Sequence, residues 1–307
     1  MISIIGYGNH VRKNIIPALD RANIKIDSII TKGDVNKEVD GIKLYNDIKQ
    51  IGSLIVGDIV YIATPISTHY ELVIAALNSG KHVICEKPLV ENIKHLENVY
   101  CLAEKKGVLV YQVEMYKYHK QYLSIKTLIE ENDLGQIKFI SADFRIPHLN
   151  KTDIRYSPLL SGGALMDVGF YPLSFMTSFL DMDEYKHVYS TNQSAHGYHV
   201  DLNGMAVWKS NECIATASWA IGSAYKNSVT IEFEKGRMEI ERAFSKPHNY
   251  ESIIKVEING SIKKEYTFED DHFVNMFNAI IDGQIDFAQH MEDTKNVVLL
   301  MERVRNS

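Results

Sequence analysis

Near its N-terminus the chain reads ISIIGYG over residues 2–8, an apolar run that ends in two glycines separated by one residue. The run predicts an apolar strand, and the apolar spacing over residues 10–22 predicts a helix that Pro17 would kink or shorten. Glycine at such a turn lets the backbone approach a phosphate group, where the helix N-terminus offers free N–H groups. Gly6 and Gly8 therefore favour a dinucleotide-binding loop over an ordinary turn between a strand and a helix.

Strands and helices alternate from this loop to about residue 118. Further strands are predicted over residues 25–31, 59–63, 82–85 and 108–113, and helices over residues 69–79 and 93–106. Because parallel strands need crossover connections, the alternation predicts an α/β domain with a doubly wound parallel sheet, the Rossmann arrangement.

The pattern changes after residue 118. Helices are predicted over residues 122–131, 164–180, 272–282 and 292–304. Strands are predicted over residues 137–144, 204–208, 214–221, 228–234, 237–241, 252–258 and 262–268. The pair Asn259-Gly260 predicts a tight hairpin turn between the last two strands. We therefore expect a dinucleotide-binding domain at residues 1–118. An α+β domain with a largely antiparallel sheet is expected at residues 119–307.

Composition excludes several classes of protein. The 307 residues, 45% hydrophobic and 23% charged, are typical of a globular chain with two domains of ~150 residues each. A net charge of −6 without a long basic block argues against nucleic acid as a partner. The most apolar stretch, residues 53–65, contains Asp58 and is shorter than the ~20 residues that span a bilayer. No membrane partner is therefore expected.

Cysteine and histidine usage predicts the compartment and the metal content. Cys85, Cys101 and Cys213 have no paired spacing, which favours reduced thiols. The N-terminus carries no basic export signal, so we expect a cytoplasmic protein. His196 and His199 lack a third ligand and a helix, so no metal is expected.

The end of the second predicted strand bears on the choice between NAD and NADP. Thr31 and Lys32 offer a hydroxyl and an ammonium group there, which suit the 2′-phosphate of NADP. An NAD site would place a carboxylate at this strand end. Asp27 has the expected spacing but lies inside the predicted strand, and Asp34 would serve only if the strand ended later. The sequence favours NADP and leaves NAD as the alternative.

Lys87 follows the fourth predicted strand, in the turn Cys85-Glu86-Lys87-Pro88. Ligands of doubly wound sheets bind at the carboxyl ends of strands, so Lys87 is expected to stabilise charge on a substrate oxygen. Pro88 restricts Lys87 to extended conformations and would fix its direction. A solvated surface turn is the alternative reading of these residues.

Asp167 and Tyr171 are four residues apart on a predicted helix and therefore share one face. A tyrosine hydroxyl can give a proton to a ketone oxygen or take one from an alcohol. A buried structural tyrosine is the alternative that spacing alone allows. Lys87 and Tyr171 fall in different predicted domains, so we expect a site in the cleft where these domains meet.

Four stretches resemble the Gfo/Idh/MocA oxidoreductases. They are ATPISTH (63–69), GKHVICEKPL (80–89), EMYKYH (114–119) and GGALMDVGFYP (162–172). The resemblance runs through nearly the whole chain in the same order. The chain departs from the family pattern at Val11, where the glycine fingerprint has glycine or alanine, and in a short stretch between the second and third predicted strands.

The resemblance implies roles for individual residues. Tyr171 places the chain with the tyrosine-type members, which include glucose–fructose oxidoreductases, dihydrodiol dehydrogenases and sugar 3-ketoreductases, and which generally use NADP. Lys87 and Tyr171 would be the catalytic pair, with Asp167 orienting the substrate or Tyr171. The residues expected to bind the cofactor are Gly6, Gly8, Asn9, His10, Thr31, Lys32, Thr64, Pro65, His69, Glu86 and Lys87. The residues expected to bind the substrate are Lys87, Tyr116, Arg155, Asp167 and Tyr171.

Together these features predict an NADP-preferring oxidoreductase. It would transfer a hydride between the nicotinamide and a carbinol or ketone carbon of a sugar, a nucleotide-linked sugar or a cyclitol. One alternative is a reductase of the same fold that acts on a bilin or an imine. Two others are a non-catalytic dinucleotide sensor and a homo-oligomeric scaffold. As in relatives, the C-terminal sheet is expected to form a homo-dimer or tetramer.

Overall fold

The computed structural model describes residues 1–32, 42–45, 57–131, 134–180 and 184–307. They form two compact units. The first consists of Met1–Glu114 and Met276–Val298, and the second of Met115–Asn275 and Leu299–Ser307. In the described parts of the chain, no helix is long and apolar enough to cross a membrane.

The first unit is built on a six-stranded parallel sheet. Its strands are β1 (Ile2–Ile5), β2 (Ile26–Ile30), β3 (Lys43–Tyr45), β4 (Ile59–Ile62), β5 (His82–Cys85) and β6 (Val110–Gln112). Their order is β3-β2-β1-β4-β5-β6, so the direction of winding reverses between β1 and β4. The predicted Rossmann arrangement is confirmed, and the carboxyl ends of β1 and β4 mark its ligand-binding edge. The short strand β3 was not predicted.

Seven α-helices are assigned in the described residues. They are α1 (Ile16–Arg21), α2 (His69–Asn78), α3 (Ile93–Lys106), α4 (Lys120–Glu130), α5 (Phe170–Phe179), α6 (His272–Ile281) and α7 (Phe287–Arg305). A wide turn of π-helix, Val11–Ile15, precedes α1. Pro17 lacks an N–H and would crowd the carbonyl four residues earlier, and the wider turn relieves that clash. The proline therefore widens the turn before it, and the helix continues to Arg21.

The second unit contains an eight-stranded sheet. Its strands are β7 (Ile137–Ile146), β8 (Lys186–Gln193), β9 (Asn203–Lys209), β10 (Ile214–Ile221), β11 (Lys226–Phe233), β12 (Gly236–Glu241), β13 (Ser252–Ile258) and β14 (Ser261–Phe268). Their order is β14-β13-β12-β11-β7-β10-β9-β8. All neighbours are antiparallel except β7 and β10, which confirms a largely antiparallel sheet. Asn259 and Gly260 both have positive φ, 52° and 74°, as the predicted hairpin turn requires.

A tryptophan fixes the packing of α5 and its preceding turn on this sheet. A Cβ added to Gly169, just before α5, would lie 3.0 Å from the ring of Trp219 on β10. One added to Gly204 on β9 would lie 2.7 Å from the same ring. Trp219 is 1% exposed, so the indole fills the space that two missing side chains leave. This contact holds the start of α5 against the centre of the sheet.

The C-terminal helices contribute to the first unit, whereas the sequence-based boundary gave all residues after 118 to the second. Phe277 lies with its ring centroid 5.7 Å from that of Tyr61 on β4. His290 stacks on Tyr111 at 3.9 Å and accepts the N–H of Gln112 at 3.1 Å. These side chains supply apolar and polar partners that the N-terminal segment lacks. Helical periodicity identifies an apolar face but does not say which core the face will join.

Candidate active site

The glycine loop lies at the carboxyl end of β1. Gly6 has φ +105°, and a Cβ there would come within 2.3 Å of the carbonyl oxygen of Ala63, which follows β4. Gly6 therefore allows the close approach of the chain after β1 to the end of β4. A Cβ on Gly8, by contrast, would point into open space, with no heavy atom within 4 Å. The backbone at Gly8 is thus left uncovered, in the loop between a strand and a helix where Rossmann domains bind a dinucleotide. Val11, the departure from the fingerprint, is fully buried in the wide turn before α1.

The second strand ends beside this loop. Thr31 is half-buried and Lys32 is exposed, and the Thr31 N–H bonds the carbonyl oxygen of Tyr45 at 2.9 Å. Asp27 accepts hydroxyl hydrogen bonds from Ser3 at 3.2 Å and Ser28 at 3.0 Å, so its carboxylate is engaged within the sheet. Asp34 lies outside the described residues. The side chains described at the end of β2 are therefore a hydroxyl and an ammonium group.

Glu86 joins the glycine loop to the turn after β5. Its Oε1 lies 2.8 Å from Nε2 of His10 and also accepts the hydroxyl of Tyr61. Burial alone would raise the pKa of Glu86, but the charge of His10 and the hydrogen bonds from His10 and Tyr61 lower it to about 2. Glu86 is therefore ionised at neutral pH, and its side chain binds protein groups. On the exposed side of the same helix start, Asn9 accepts a hydrogen bond from Arg12 at 2.6 Å.

Lys87 is half-buried in this turn, at the carboxyl end of β5 as the sequence predicts. The Lys87–Pro88 peptide bond is cis. Pro88 and Leu89 are buried, and the Leu89 N–H donates to Oε1 of Gln112 at 2.8 Å. The residues on both sides of Lys87 are therefore held by the protein.

The loop after β4 and the first residue of α2 contain three of the residues expected to bind the cofactor. Thr64 and Pro65 are half-buried, and Thr68 Oγ1 donates to the Pro65 carbonyl oxygen at 2.7 Å. His69 is 1% exposed, and its ring nitrogens lie 2.9 Å from the carbonyl oxygens of Thr64 and Pro88. Burial lowers its pKa, although both carbonyl contacts oppose the effect. His69 thus lies beneath the loop, with its ring between these two carbonyl groups.

Asp167 and Arg155 form the charged part of the candidate site in the second unit. Asp167 lies in the wide turn Leu165–Gly169 that leads into α5. Arg155 donates through Nε to Asp167 Oδ2 and through Nη1 to Asp153 Oδ1, the latter at 3.2 Å. The carboxylate of Asp167 raises the pKa of Arg155 above its ordinary range. The pair is half-buried. The charge-assisted hydrogen bond between its members fixes the direction in which the carboxylate of Asp167 would meet polar ligand atoms.

Tyr171 lies in the first turn of α5 and is 8% exposed. Its hydroxyl donates to Sδ of Met115 at 3.9 Å. Four aromatic rings surround its ring, with centroids 5.3 to 6.2 Å away; they are Phe144, Phe170, Phe244 and Tyr116. The packing fixes the direction of the hydroxyl.

Tyr116, which was expected to bind substrate, lies in the core of the second unit. Its side chain is fully buried, and its hydroxyl lies 2.9 Å from Oγ of Ser174. Its ring meets that of Tyr171 edge to face at 6.2 Å. The EMYKYH motif did not reveal that this tyrosine points into the core, where it supports Tyr171.

Asp201 is a residue of the candidate site that sequence reasoning missed. Its Oδ2 accepts the N–H of Leu165 at 2.7 Å, and its carbonyl oxygen accepts the N–H of Ala164 at 2.9 Å. Gly163 has φ +116°, and a Cβ there would lie 2.2 Å from Asp201 Oδ1. Burial raises the pKa of Asp201 to about 6, against the lowering effect of these backbone N–H groups. The double glycine is the signal that a side chain packs closely there, but it does not say which one.

Family models match most of the chain. The model described as an oxidoreductase family with an NAD-binding Rossmann fold matches residues 1–115. The model of the GFO/IDH/MocA C-terminal domain matches residues 122–239.

Individual relatives match most of the chain. The chain is 27% identical over 253 residues to dTDP-3,4-didehydro-2,6-dideoxy-alpha-D-glucose 3-reductase of Actinomadura kijaniata, covering 81% of this chain and 76% of that protein. It is 27% identical over 259 residues to D-xylose 1-dehydrogenase (NADP(+)) 2 of Haloferax volcanii, covering 80% and 77%. In fold it resembles a 3-ketoreductase from Actinomadura kijaniata crystallised with NADP and TDP-benzene. That comparison has a TM-score of 0.89, 24% identity, and coverage of 99% of this chain and 96% of the other. The chain belongs to the Gfo/Idh/MocA family of oxidoreductases.

Proposed function

We propose that the chain is an NADP-dependent oxidoreductase that interconverts a ketone and an alcohol on a sugar. The observation that carries the proposal is the fixed position of Lys87, half-buried at the carboxyl end of β5 with anchored neighbours on both sides. An ammonium group at the ligand-binding edge of a Rossmann sheet suits an oxygen that gains negative charge during reduction. Relatives that are 27% identical bear the names of a sugar 3-reductase and a sugar dehydrogenase, which supports the same reaction class.

The protein groups have separate tasks in this proposal. NADPH, when bound, supplies the hydride. Lys87 stabilises the negative charge on the carbonyl oxygen, and Tyr171 donates its phenolic proton to that oxygen. Asp167, oriented by Arg155, accepts hydrogen bonds from substrate hydroxyl groups. In the reverse direction Tyr171 takes the proton back from the alcohol.

Thr31 and Lys32 support NADP as the preferred cofactor. They follow β2, where the ribose 2′ position is recognised in Rossmann domains, and Asp27 is engaged within the sheet. The named xylose dehydrogenase uses NADP(+), and the similar 3-ketoreductase was crystallised with NADP. The uncovered backbone at Gly8, with Asn9 and His10 beside it, would hold the phosphates.

An aromatic group beside Arg155 favours a nucleotide-linked sugar over a free sugar or a cyclitol. Tyr156 lies with its ring centroid 5.0 Å from that of Tyr198 and 6.4 Å from that of His148. The Tyr156 hydroxyl accepts the N–H of Leu149 at 3.0 Å, which fixes the ring. Next to Tyr198 a depression of about 390 Å³ also includes His199 and Asp201 in its lining. Fixed aromatic rings at an open surface are suited to stack on a nucleobase.

Turnover of a substrate panel tests the proposal. Nicotinamide absorbance is followed with NADPH and with NADH against a dTDP-linked keto-sugar. In the oxidative direction it is followed with NADP⁺ and with NAD⁺ against D-xylose, myo-inositol and trans-dihydrobenzenediol. A bilin and a cyclic imine represent the alternative reductase. We expect the fastest turnover with the dTDP-linked keto-sugar and NADPH. NADPH binding without turnover on any of these compounds would instead favour a dinucleotide sensor.

We propose further that the chain forms a homo-dimer or tetramer through the C-terminal sheet. Asp143 on β7 accepts hydrogen bonds from Arg145 at 2.8 Å, from Lys226 at 2.6 Å and from Ser218. These ordered polar groups share one face of the sheet and would suit a polar subunit interface. Light scattering of the wild-type chain and of Lys226→Glu tests this, since the charge reversal should weaken association.

Cys85, Cys101 and Cys213 are free thiols, which supports a reducing cytoplasmic location.

A further inference from the structure

The turn that carries Lys87 is held at three points. Before Lys87, the Glu86 N–H bonds the Ile62 carbonyl oxygen at 2.9 Å, and the Glu86 side chain binds His10 and Tyr61. After it, the Leu89 N–H donates to buried Gln112. The third anchor acts on the carbonyl of Pro88, the residue that follows Lys87 directly, and it is the ring of His69.

His69 is the first residue of α2, and both of its ring nitrogens are engaged. Nδ1 lies 2.9 Å from the carbonyl oxygen of Pro88, and Nε2 lies 2.9 Å from that of Thr64. The same ring therefore links the loop after β4 to the turn after β5. Thr68 closes the first of these loops by donating to Pro65 and by contacting Thr64 Oγ1 at 2.8 Å.

The two contacts differ in chemistry from ordinary packing. A carbonyl oxygen only accepts, so each strong contact needs an N–H on the facing nitrogen. A neutral imidazole has one N–H and can satisfy one carbonyl, whereas an imidazolium can satisfy both. Burial lowers the pKa of His69 and favours the neutral ring, which holds the Pro88 carbonyl when its N–H is on Nδ1, while Nε2 then only packs against the Thr64 carbonyl. A phenyl ring would fill similar space but would donate to neither.

We propose that His69 is a positioning residue that sets the location of the Lys87 ammonium group through the carbonyl of Pro88. This inference rests on the proposed function, in which Lys87 stabilises charge on the substrate oxygen. Glu86 fixes the start of the turn. Gln112 and His69 hold the N–H and the carbonyl of one peptide group, Pro88–Leu89, which lies one residue beyond Lys87. Without the His69 contact this peptide group keeps only its hydrogen bond to Gln112 and can tilt, and a displacement of about 1 Å at a catalytic group can reduce turnover ~100-fold.

A double-mutant cycle tests the proposal. The variants are His69→Phe, Lys87→Met and the combination, assayed with NADPH and the dTDP-linked keto-sugar, and with NADP⁺ and D-xylose. We expect His69→Phe to lower kcat by about 10- to 100-fold with Lys87 present and by no more than about twofold in the Lys87→Met background. His69→Gln, whose amide can donate to a carbonyl, should recover part of the loss. If His69→Phe folds poorly, His69→Gln takes its place in the cycle.

Hydrogen exchange of the ligand-free protein gives a second readout that is independent of turnover. The Leu89 amide should exchange faster in His69→Phe than in the wild type, and at the wild-type rate in Lys87→Met. His272→Phe is a matched control, because His272 is also buried, 2% exposed, but belongs to the second unit. It should leave both readouts of the Lys87 turn unchanged.

The outcomes separate this inference from the proposed function. Full turnover in Lys87→Met would remove the role of Lys87, and with it the proposed mechanism. A loss in Lys87→Met together with normal turnover in His69→Phe would overturn only the role of His69. Equal losses from His69→Phe in both backgrounds would also overturn it, because the effect would then not pass through Lys87.

Discussion

Arg155 donates through Nε to Oδ2 of Asp167, so the carboxylate next to the start of α5 has a fixed orientation. Replacing Asp167 with asparagine removes the charge but retains a polar side chain of nearly the same size. Arg155 would keep its contact to Asp153. We expect KM for the sugar substrate to rise about tenfold, as for the loss of one charge-assisted hydrogen bond. NADPH affinity, measured by fluorescence titration, should not change, and an unchanged KM would exclude a substrate contact.

Tyr171→Phe tests the proton donor. The aromatic rings around Tyr171 accommodate phenylalanine, so the melting temperature should stay close to that of the wild type. Loss of the phenolic proton should lower kcat by about 10²- to 10⁴-fold.

Lys87→Ala should lower kcat as sharply as Tyr171→Phe, and both variants should bind NADPH nearly as well as the wild type. Retained turnover in either variant would contradict the role of that residue.

Lys32→Ala tests cofactor choice. The lysine is exposed after β2, so its removal should not affect folding. Without the ammonium group the 2′-phosphate loses a charged partner, and kcat/KM with NADPH should fall about tenfold while the value with NADH stays the same. Lys25→Ala, before β2, is the control variant. An equal loss with both cofactors would point to a general defect of the loop.

Tyr198→Ala tests the stacking surface. If the aromatic group binds a nucleobase, KM for a dTDP-linked sugar should rise by a factor of about 5 to 100, the range expected for lost stacking. KM for D-xylose, which has no base, should remain the same. Equal changes for the two substrates would contradict the assignment of a nucleotide-linked substrate.

Because of Lys246, we expect an unusual pH dependence of the free energy of unfolding. It is 6% exposed and donates to Gln121 at 2.9 Å, and burial lowers its pKa to about 7 while Asp270 opposes the shift. His119 and His272 also face it, and burial lowers their pKa values, to about 4 for His119, so both stay neutral above pH 7.

The unfolded chain binds a proton on Lys246 up to its usual pKa near 10.5, whereas the folded chain has released it above about pH 7. The free energy of unfolding should therefore rise with pH between these values, by up to about 1.4 kcal/mol per pH unit. In Lys246→Met this contribution is absent. Urea denaturation of both proteins at pH 7.5 and 9.5 measures it. The free energy of unfolding of Lys246→Met should exceed that of the wild type by less at pH 9.5 than at pH 7.5. The same difference at both pH values would contradict the prediction.

Sequence patterns predicted most of the fold because local chemistry determines it. The apolar runs of β1 and β4 suit strands covered on both faces, and Asn259-Gly260 suits a turn with two positive φ angles. Strand β8 was missed because its sequence, KHVYSTNQ, is polar and largely exposed. Such strands form because a neighbouring strand offers backbone hydrogen-bond partners, and the periodicity of the sequence does not reveal that neighbour.

The candidate site was predictable in part for a related reason. Lys87 and Tyr171 stand in recognisable motifs, so their numbers could be read from the sequence. Asp201 lies far from α5 along the chain, and only the folded structure shows that it binds the N–H of Leu165. His69 was assigned to the cofactor because of its motif, but its burial and its two carbonyl contacts became visible only in three dimensions.

The composition of the first unit has a consequence for biosynthesis. Its core includes Val298, and Phe277 and His290 pack on Tyr61 and Tyr111. The ribosome must therefore have made nearly the whole polypeptide before the dinucleotide-binding unit can complete its core. The N-terminal strands can pair earlier, but they emerge with these aromatic surfaces uncovered. A truncated product that ends after residue 114 would keep every glycine and lysine motif of the cofactor site and still be a target for chaperones and proteases.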